Sequence, residues 1–163
     1  MTRFLLVLVC LAVLVAALWG MRLGWRHRAA RQRGLGPLPE PPAEQGAPII
    51  EGESGLYVGT TSARSWQDRI VARGLGRPAA ARATLFPAGL MIDRAGDSVI
   101  YVPAASIIEG RLAPALAGKV VGARGLLVVR WRLGDWVLDT GFRADDERRY
   151  PDWLRAIAGL VTA

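Results

Sequence analysis

The stretch that decides the fold is Leu126–Phe142, which reads LLVVRWRLGDWVLDTGF. Apolar β-type residues run on both sides of Gly134-Asp135, a pattern typical of two antiparallel strands. Glycine at the first loop position suits a type II′ turn. We therefore predict a hairpin of strands Leu126–Leu133 and Trp136–Phe142, joined by a two-residue loop.

A two-residue loop also fixes how the two strands pair. It sets Arg130 opposite Asp139, as an exposed cross-strand ion pair that contributes only a fraction of a kcal/mol. It also sets Leu133 opposite Trp136 and Trp131 opposite Leu138. The large apolar residues then share one face: Val129, Trp131, Leu133, Trp136 and Leu138. A slip of one residue would expose the tryptophans and bury the charges, so we expect the tryptophans in the core.

The residues after the hairpin predict a C-terminal helix. Acids at Asp145-Asp146-Glu147 suit the start of a helix, and Pro151 fits its first turn. Apolar residues then recur at three- and four-residue spacing: Tyr150, Trp153, Leu154, Ile157, Leu160 and Val161. Such a stripe needs a surface to cover, and we expect that surface to be the open end of the sheet.

Upstream of the hairpin, short β-type runs alternate with turn signals from Leu56 onward. The predicted strands are Leu56–Thr61, Ala83–Pro87, Gly89–Asp93, Ser98–Val102 and Ile107–Leu112. Together with the hairpin they make seven strands, and one amphipathic helix follows them.

This order of elements resembles that of pleckstrin-homology (PH) domains. The chain is similar to a bacterial PH-like family that follows a single N-terminal helix in actinobacterial membrane proteins. The resemblance rests on residues 55–161, through LYVGTT, SVIYVPAASI, WRLGDWVLDTGFRADD and PDWLRAIAGL. It implies a mostly β fold, a seven-stranded, partly open barrel capped by the C-terminal helix. It also implies a non-enzymatic membrane protein, often labelled as export- or transport-associated.

A basic segment lies between the first two predicted strands. Its arginines outnumber the single acid Asp68: Arg64, Arg69, Arg73, Arg77 and Arg82. We interpret Ser65–Leu75 as a short helix capped by Ser65, which would place Arg69 and Arg73 on one face. The corresponding loop of lipid-binding PH domains carries phosphate-binding cations, so the resemblance points to anionic lipid. A solvated surface and a protein partner remain open as alternatives.

The N-terminal segment Phe4–Trp19 contains no polar side chain. With the two residues that follow, it would span about 27 Å as a helix, close to the thickness of a bilayer core. We therefore predict a transmembrane helix over residues 1–22. A cleaved signal peptide or a lipoprotein anchor at Cys10 fits less well, because strongly basic sequence follows and Val9 is a poor residue before a modified cysteine.

The segment that follows the apolar run, residues 23–54, combines a basic collar with an acidic, proline-rich linker. The topology-setting arginines are Arg22, Arg26, Arg28, Arg31 and Arg33. They place this side of the membrane in the cytoplasm, with the N-terminus outside the cell. Five prolines and four glutamates in Gly34–Gly55 predict an extended spacer. Residues 55–163 then form the PH-like domain.

Charge and composition exclude several classes of function. The net charge is +7, but six arginines and no acid lie in the first 33 residues, so nucleic acid is not indicated. The single histidine and the single cysteine also lie in this N-terminal part, which argues against zinc sites and thiol or histidine catalysis in the domain. The chain carries no phosphate-cradling glycine motif. We expect no enzyme activity, no cofactor and no small-molecule substrate.

Two functional hypotheses follow. The first is a single-pass, membrane-anchored PH-like interaction module at the cytoplasmic face of the plasma membrane, with membrane lipid and a protein of unknown identity as partners. The alternative is an accessory subunit of a membrane transport or export complex. In that case the N-terminal helix would pack against partner helices through Leu11, Val15 and Leu18.

Overall fold

The computed structural model describes residues 2–120 and 125–162, without the side chains of residues 2–6, 8–9, 23, 25–31, 33 and 120. The chain divides into two compact units, Met1–Gly34 and Leu35–Ala163. The first unit consists of helix α1 (Thr2–Arg31) and a 3-10 turn at Gln32–Gly34. The second contains the sheet and the C-terminal helix.

The large apolar side chains that are described on α1 are more than half exposed, for example Val7 at 64% and Trp19 at 67%. Within the described residues, however, no helix combines the length and the apolar character that crossing a membrane requires. The predicted transmembrane helix over residues 1–22 is therefore not confirmed. Arg22 is exposed, and the side chains of the other topology-setting arginines, Arg26, Arg28, Arg31 and Arg33, lie outside the described residues.

The second unit is built on an antiparallel sheet of seven strands in the order β4-β3-β2-β1-β9-β8-β5. A separate two-stranded hairpin, β6-β7, is inserted between β5 and β8. The elements are β1 (Ile50–Ser62), β2 (Ala79–Phe86), β3 (Gly89–Arg94), β4 (Ile100–Pro103), β5 (Ile107–Ala113), β6 (Ala115–Leu116), β7 (Lys119–Val120), β8 (Leu126–Leu133), β9 (Trp136–Ala144) and α2 (Tyr150–Val161). The mostly β architecture, an open PH-like sheet with a C-terminal helix, is as predicted.

The first strand organises the sheet, because its two halves pair with different neighbours. Residues from Ile50 to Tyr57 pair with β2, and residues from Gly55 to Ser62 pair with β9. The register shifts once in each ladder, as at β-bulges, which bend a strand and increase its twist. β1 therefore joins the two halves of the sheet at its centre.

The predicted pairing of the β8-β9 hairpin is confirmed. Leu133 faces Trp136, Trp131 faces Leu138, and Arg130 faces Asp139. Gly134 has a φ of +56°, as the first position of a type II′ turn requires. The expectation that the Arg130–Asp139 pair is exposed was wrong, because Asp139 is only 3% exposed. Arg111 of β5 reaches the same carboxylate at 2.7 Å, a contact from outside the hairpin.

Helix α2 covers β5, as the apolar stripe predicts. Tyr150, Trp153 and Ile157 are buried, whereas Val161 at the end of the stripe is exposed. The helix comes so close that a Cβ at Gly110 would lie 3.0 Å from the Ile157 side chain. Glycine at this position of β5 therefore permits the approach of the helix.

The compact unit begins earlier than the predicted boundary at residue 55. β1 starts at Ile50, and Leu35 is 2% exposed within the main apolar cluster, with Leu38 packed against it. Prolines keep this segment extended, but the leucines between them are apolar and gain free energy by burial. Part of the predicted spacer therefore belongs to the core.

A second, smaller apolar cluster lies on the opposite face of the sheet, where the sequence predicted no element. The β6-β7 hairpin contributes Leu116 and Ala117, which pack with Val58, Leu126 and Val128. Gly141 on β9 makes room for them, since a Cβ there would lie 2.5 Å from Leu116 Cδ2. Apolar side chains are thus buried on both faces of the sheet.

Candidate binding surface

The candidate surface is the basic loop, which we define as residues 63–78 between β1 and β2. The predicted helix over Ser65–Leu75 is wrong: the only helical piece described here is a 3-10 turn at Ala72–Gly74. Arg69 instead forms a β-bridge with Thr61, so Arg69 and Arg73 do not share a helix face. Arg73 has left-handed dihedral angles, φ 56° and ψ 24°.

The loop does not form an α-helix: several of its backbone groups bond to β1, and the backbone bonds described within the loop span only two or three residues. Thr60 donates to the carbonyl of Leu75 at 3.0 Å and accepts from the amide of Ile70 at 2.9 Å. Ser62 donates to the carbonyl of Asp68 at 2.9 Å. Ile70 and Leu75 are fully buried and anchor the loop in the main core. These bonding partners lie on β1, outside the loop, so the sequence of the loop alone could not indicate them.

A buried polar network supports the loop from inside the sheet. The Tyr57 hydroxyl donates to the Leu75 carbonyl at 2.6 Å and also lies 2.8 Å from Thr60 Oγ1. Thr60 Oγ1 lies 2.8 Å from Thr140 Oγ1, which accepts the indole N–H of Trp131 at 2.9 Å. Burial raises the pKa of Tyr57, so the phenol stays protonated and keeps its donor at neutral pH.

Arg69 braces the loop against the β6-β7 hairpin. Its guanidinium donates to the Gly76 carbonyl at 2.7 Å and to the Ala117 carbonyl. Ala117 in turn donates its amide to the Trp66 carbonyl at 2.7 Å. Arg69 was predicted as a contact residue, and the structure gives it a supporting role in the loop.

Arg94, at the end of β3, is a second brace, and the sequence analysis missed it. The residue is 2% exposed and donates to the carbonyls of Gly74, at 2.8 Å, and Ser98, at 2.9 Å. Its guanidinium carbon lies 5.1 Å from the centroid of the Tyr57 ring. The Asp97 carboxylate lies 3.4 Å from the Arg94 guanidinium and balances its charge. The only sequence signal was an arginine beside the Gly96-Asp97 turn.

Asp97 links this brace to an exposed arginine. The Ser98 amide holds the pKa of Asp97 below its usual range, and Arg94 and Arg77 lower it further. Arg77 lies 3.2 Å from the Asp97 carboxylate, with 76% of its side chain exposed. Asp97 is therefore an anion that fixes both a buried and a surface cation.

Three of the predicted arginines point into solvent from the braced loop: Arg64, Arg73 and Arg77. Trp66 on the same loop is 43% exposed. Arg82 is also exposed but lies on β2, where it donates to the Gly52 carbonyl at 3.1 Å. Guanidinium groups on a fixed backbone can bind phosphate or carboxylate groups through paired hydrogen bonds. The basic loop thus presents exposed guanidinium groups from a backbone that Arg69 and Arg94 hold in place.

The acidic cluster before α2 has a structural explanation. The Asp146 side chain accepts from the amide of Arg148 at 3.2 Å and pairs with its guanidinium at 2.8 Å. Both contacts with Arg148 lower the pKa of Asp146. The residues that the structure describes contain no group of three or more His, Cys, Asp or Glu arranged to hold a metal ion.

The comparison with protein families agrees with this architecture. The family model described as bacterial PH domain-like matches residues 35–158. No curated protein matches the chain. A solved structure titled "Vav1 inhibited by an allosteric inhibitor: Vav1 inhibitors block GEF activity" is similar at 19% identity and a TM-score of 0.42. The match covers 85% of this chain but only 32% of the Vav1 chain. From the family match, the chain belongs to the bacterial PH domain-like family.

Proposed function

We propose that the protein is a membrane-anchored, non-catalytic PH-like interaction module that presents its basic loop to anionic lipid at the cytoplasmic face of the plasma membrane. The observation that carries the proposal is the pairing of exposed arginines with a backbone that buried groups hold in place. Arg64, Arg73 and Arg77 are exposed, whereas Ile70 and Leu75 are fully buried. Binding to a fixed loop costs less conformational entropy than binding to a mobile one.

The anchor in this proposal is the apolar segment Phe4–Trp19. Its sequence is apolar throughout, and Arg22 with the arginines that follow it makes the C-terminal side strongly basic. Such asymmetry favours a cytoplasmic C-terminal domain. A basic juxtamembrane segment adds about 1 kcal/mol of attraction to anionic lipid per arginine. The anchor would therefore keep the domain close to the surface that the loop binds.

The absence of catalysis is proposed on chemical grounds. The compact unit contains neither histidine nor cysteine. Its most buried charged side chains, Arg94 and Asp139, are each held by an ion pair and hydrogen bonds. Both side chains thus hold elements of the fold together. PH-like domains in general serve protein and lipid binding.

Vesicle sedimentation of residues 35–163 tests the lipid contact. Neutralising Arg64 and Arg73 together with glutamine should weaken binding to vesicles rich in phosphatidylserine about 30-fold, at about 1 kcal/mol per arginine. The matched control is Arg132→Gln with Arg143→Gln, which removes the same charge from exposed positions on β8 and β9. Equal binding by the two double variants would show that the basic loop is not the lipid contact. Arg69 is unsuitable for this test because it supports the loop.

A reporter fused after Ala163 tests the anchor and its orientation. We expect the reporter to be active only on the cytoplasmic side, and to move to the outside when the collar arginines are replaced by glutamine. Signal only on the outer side of the unchanged protein would contradict the proposed topology, whatever the result of the vesicle experiment.

The second candidate, an accessory subunit of a transport or export complex, draws support from α1. Leu11, Val15 and Leu18 are 55%, 52% and 54% exposed, so their side chains are available to partner helices. Replacing residues 1–22 with an unrelated transmembrane helix separates the two candidates. An interaction module should keep its partner after the exchange, whereas a subunit that docks through the helix should lose it.

A further inference from the structure

The two edge strands of the sheet differ in how they are protected. β4 is four residues long and ends in Pro103, which lacks an amide hydrogen and discourages further pairing. β5 is seven residues long, contains neither proline nor lysine, and pairs only with β8 among the residues described. The outer edge of β5 therefore presents backbone groups that another strand can bond.

The sequence of β5 has a chemical symmetry about Gly110. From Ile108 to Leu112 it reads apolar, acidic, glycine, basic, apolar. Two copies paired antiparallel across Gly110 would set Glu109 opposite the second copy's Arg111, and Arg111 opposite the second copy's Glu109. Ile108 would lie opposite the second copy's Leu112. Each favourable pair then occurs twice, as a two-fold axis requires.

The exposure of these side chains fits such a contact. Ile108 is 37% exposed and Leu112 is 44% exposed, and both lie in the edge strand β5. The side chains of Glu109 and Arg111 are 44% and 35% exposed. Exposed apolar side chains on a long edge strand favour pairing with another strand.

The charged residues are also held in position before any partner arrives. Arg111 bonds Asp139 at 2.7 Å, and Arg130 joins the same carboxylate at 2.8 Å. Arg130 reaches Glu109 at 3.0 Å. This network holds Glu109 and Arg111 on one face of the sheet, so less side-chain entropy is lost when a second copy binds. Helix α2 supports the face of the strand at Gly110, whereas pairing uses its in-plane edge.

We propose that β5 is a self-association edge, through which two copies of the chain form a two-fold dimer by antiparallel β5-β5 pairing centred on Gly110. The dimer joins two seven-stranded sheets into one continuous sheet. This inference is independent of the membrane anchor and of the lipid contact.

The first test uses charge exchange in the full chain, with mass measured by light scattering in detergent micelles. Glu109→Arg places arginine against arginine, and Arg111→Glu places glutamate against glutamate, so each variant alone should lose the dimer at least ten-fold in affinity. An equimolar mixture of the two variants brings opposite charges together again at both pairs. The mixture should therefore dimerise, whereas a mixture that stays monomeric, or an unchanged protein that is monomeric, overturns the proposal.

A second pair of variants avoids the Asp139 network, in case a charge exchange impairs folding. Leu112→Lys places a charge on the proposed interface, and Ile49→Lys is its control, since Ile49 is 47% exposed away from β5. Loss of the dimer in the first variant alone supports the proposal. Loss in both variants or in neither places the interface elsewhere and overturns it.

Cysteine cross-linking checks the register, in a Cys10→Ser background that removes the only natural thiol. Glu109→Cys in one copy and Arg111→Cys in another would face each other at about 4.5–5.5 Å between Cβ atoms, the lower end of which a disulfide can span. Each variant alone would place its cysteines on a diagonal, about 7–8 Å apart between residue positions. Cross-links should therefore form in the mixture, and equal cross-linking in the separate variants would contradict the register.

Discussion

Replacing Arg69 with alanine should destabilise the compact unit, whereas replacing Arg73 should not, although the two arginines are four residues apart. The Arg69 guanidinium donates to the carbonyls of Gly76 and Ala117, so its loss removes the tie between the basic loop and the β6-β7 hairpin. Arg73 is exposed, and its side chain makes no hydrogen bond or ion pair with the residues that the structure describes. The contrast separates a structural arginine from a surface arginine within one loop.

The size of the effect follows from the two hydrogen bonds. A hydrogen bond to a charged group contributes about 1.5–3 kcal/mol. Arg69 is only half-buried and water can replace part of each bond, so we expect a combined loss of roughly 2–4 kcal/mol. For a unit of this size that corresponds to a fall in Tm of roughly 10 °C.

Arg73 should behave in the opposite way when it is replaced by glycine. A side chain in the left-handed region costs about 1–2 kcal/mol, which glycine avoids. Arg73 has φ 56°, so Arg73→Gly should raise the Tm by a few degrees, although it removes a charge. Arg73→Ala keeps the strain and should leave the Tm unchanged.

Thermal unfolding of residues 35–163, followed by circular dichroism, measures both effects, with Arg64→Ala as an exposed control. A Tm for Arg69→Ala within about 2 °C of the unchanged protein would refute the role of Arg69 as a brace, since two lost bonds must exceed that shift. A lower Tm for Arg73→Gly would refute the argument from strain.

Three further predictions concern the core, the acid response and the second apolar cluster. Leu35→Ala should lower the free energy of unfolding by about 2–4 kcal/mol, because Leu35 is 2% exposed. Urea titration checks this, with the exposed Pro41→Ala as the control. Equal urea midpoints for the two variants would show that residues 35–49 are only a spacer. A carboxylate whose folded pKa lies below its ordinary value stabilises the fold above that value and loses this contribution as the pH falls through the folded pKa. The pKa of Asp97 is lowered in this way, so the urea midpoint should fall more steeply from about pH 5 to pH 2 in the unchanged protein than in Asp97→Asn; parallel curves would show that Asp97 does not couple to folding. Gly141→Val should lower the free energy of unfolding by about 1–3 kcal/mol through overpacking, since a Cβ there would lie 2.5 Å from Leu116. Gly159→Ala is the control, because nothing lies within 4 Å of a Cβ at that position. An equal Tm for the two variants would contradict the close fit of the β6-β7 hairpin.

The parts of the fold that the sequence predicted well are those set by neighbouring residues. The β8-β9 register follows from the alternation of apolar and polar residues on both sides of a two-residue turn. Gly134, Trp131 and Trp136 specify this register within 17 residues. Helix α2 is similar, because its apolar stripe and Pro151 are local signals. In both cases the information lies within the element itself.

The basic loop could not be predicted in this way, because its partners are distant in sequence. Ser65–Leu75 was interpreted as a helix capped by Ser65, but Arg69 bonds a carbonyl 48 residues away, and Arg94 bonds the loop across 20 residues. The burial of Asp139 depends on Arg111, 28 residues upstream. The two-residue strands β6 and β7 are too short to carry a periodic pattern.

Two residues that hold the basic loop, Tyr57 and Arg94, lie on the sheet and not in the loop. The Arg94 guanidinium carbon lies 5.1 Å from the centroid of the Tyr57 ring. Tyr57 donates to the Leu75 carbonyl, and Arg94 donates to the neighbouring Gly74 carbonyl. Because they bond backbone carbonyls, the loop keeps its course whatever side chains it carries at exposed positions. Arg64 and Arg73 can therefore change without loss of the fold, whereas Arg94 cannot, since its removal would break the bonds to the Gly74 and Ser98 carbonyls and the buried ion pair with Asp97. A loop of this construction allows the charge at the surface to be altered while the positions from which the arginines extend remain fixed.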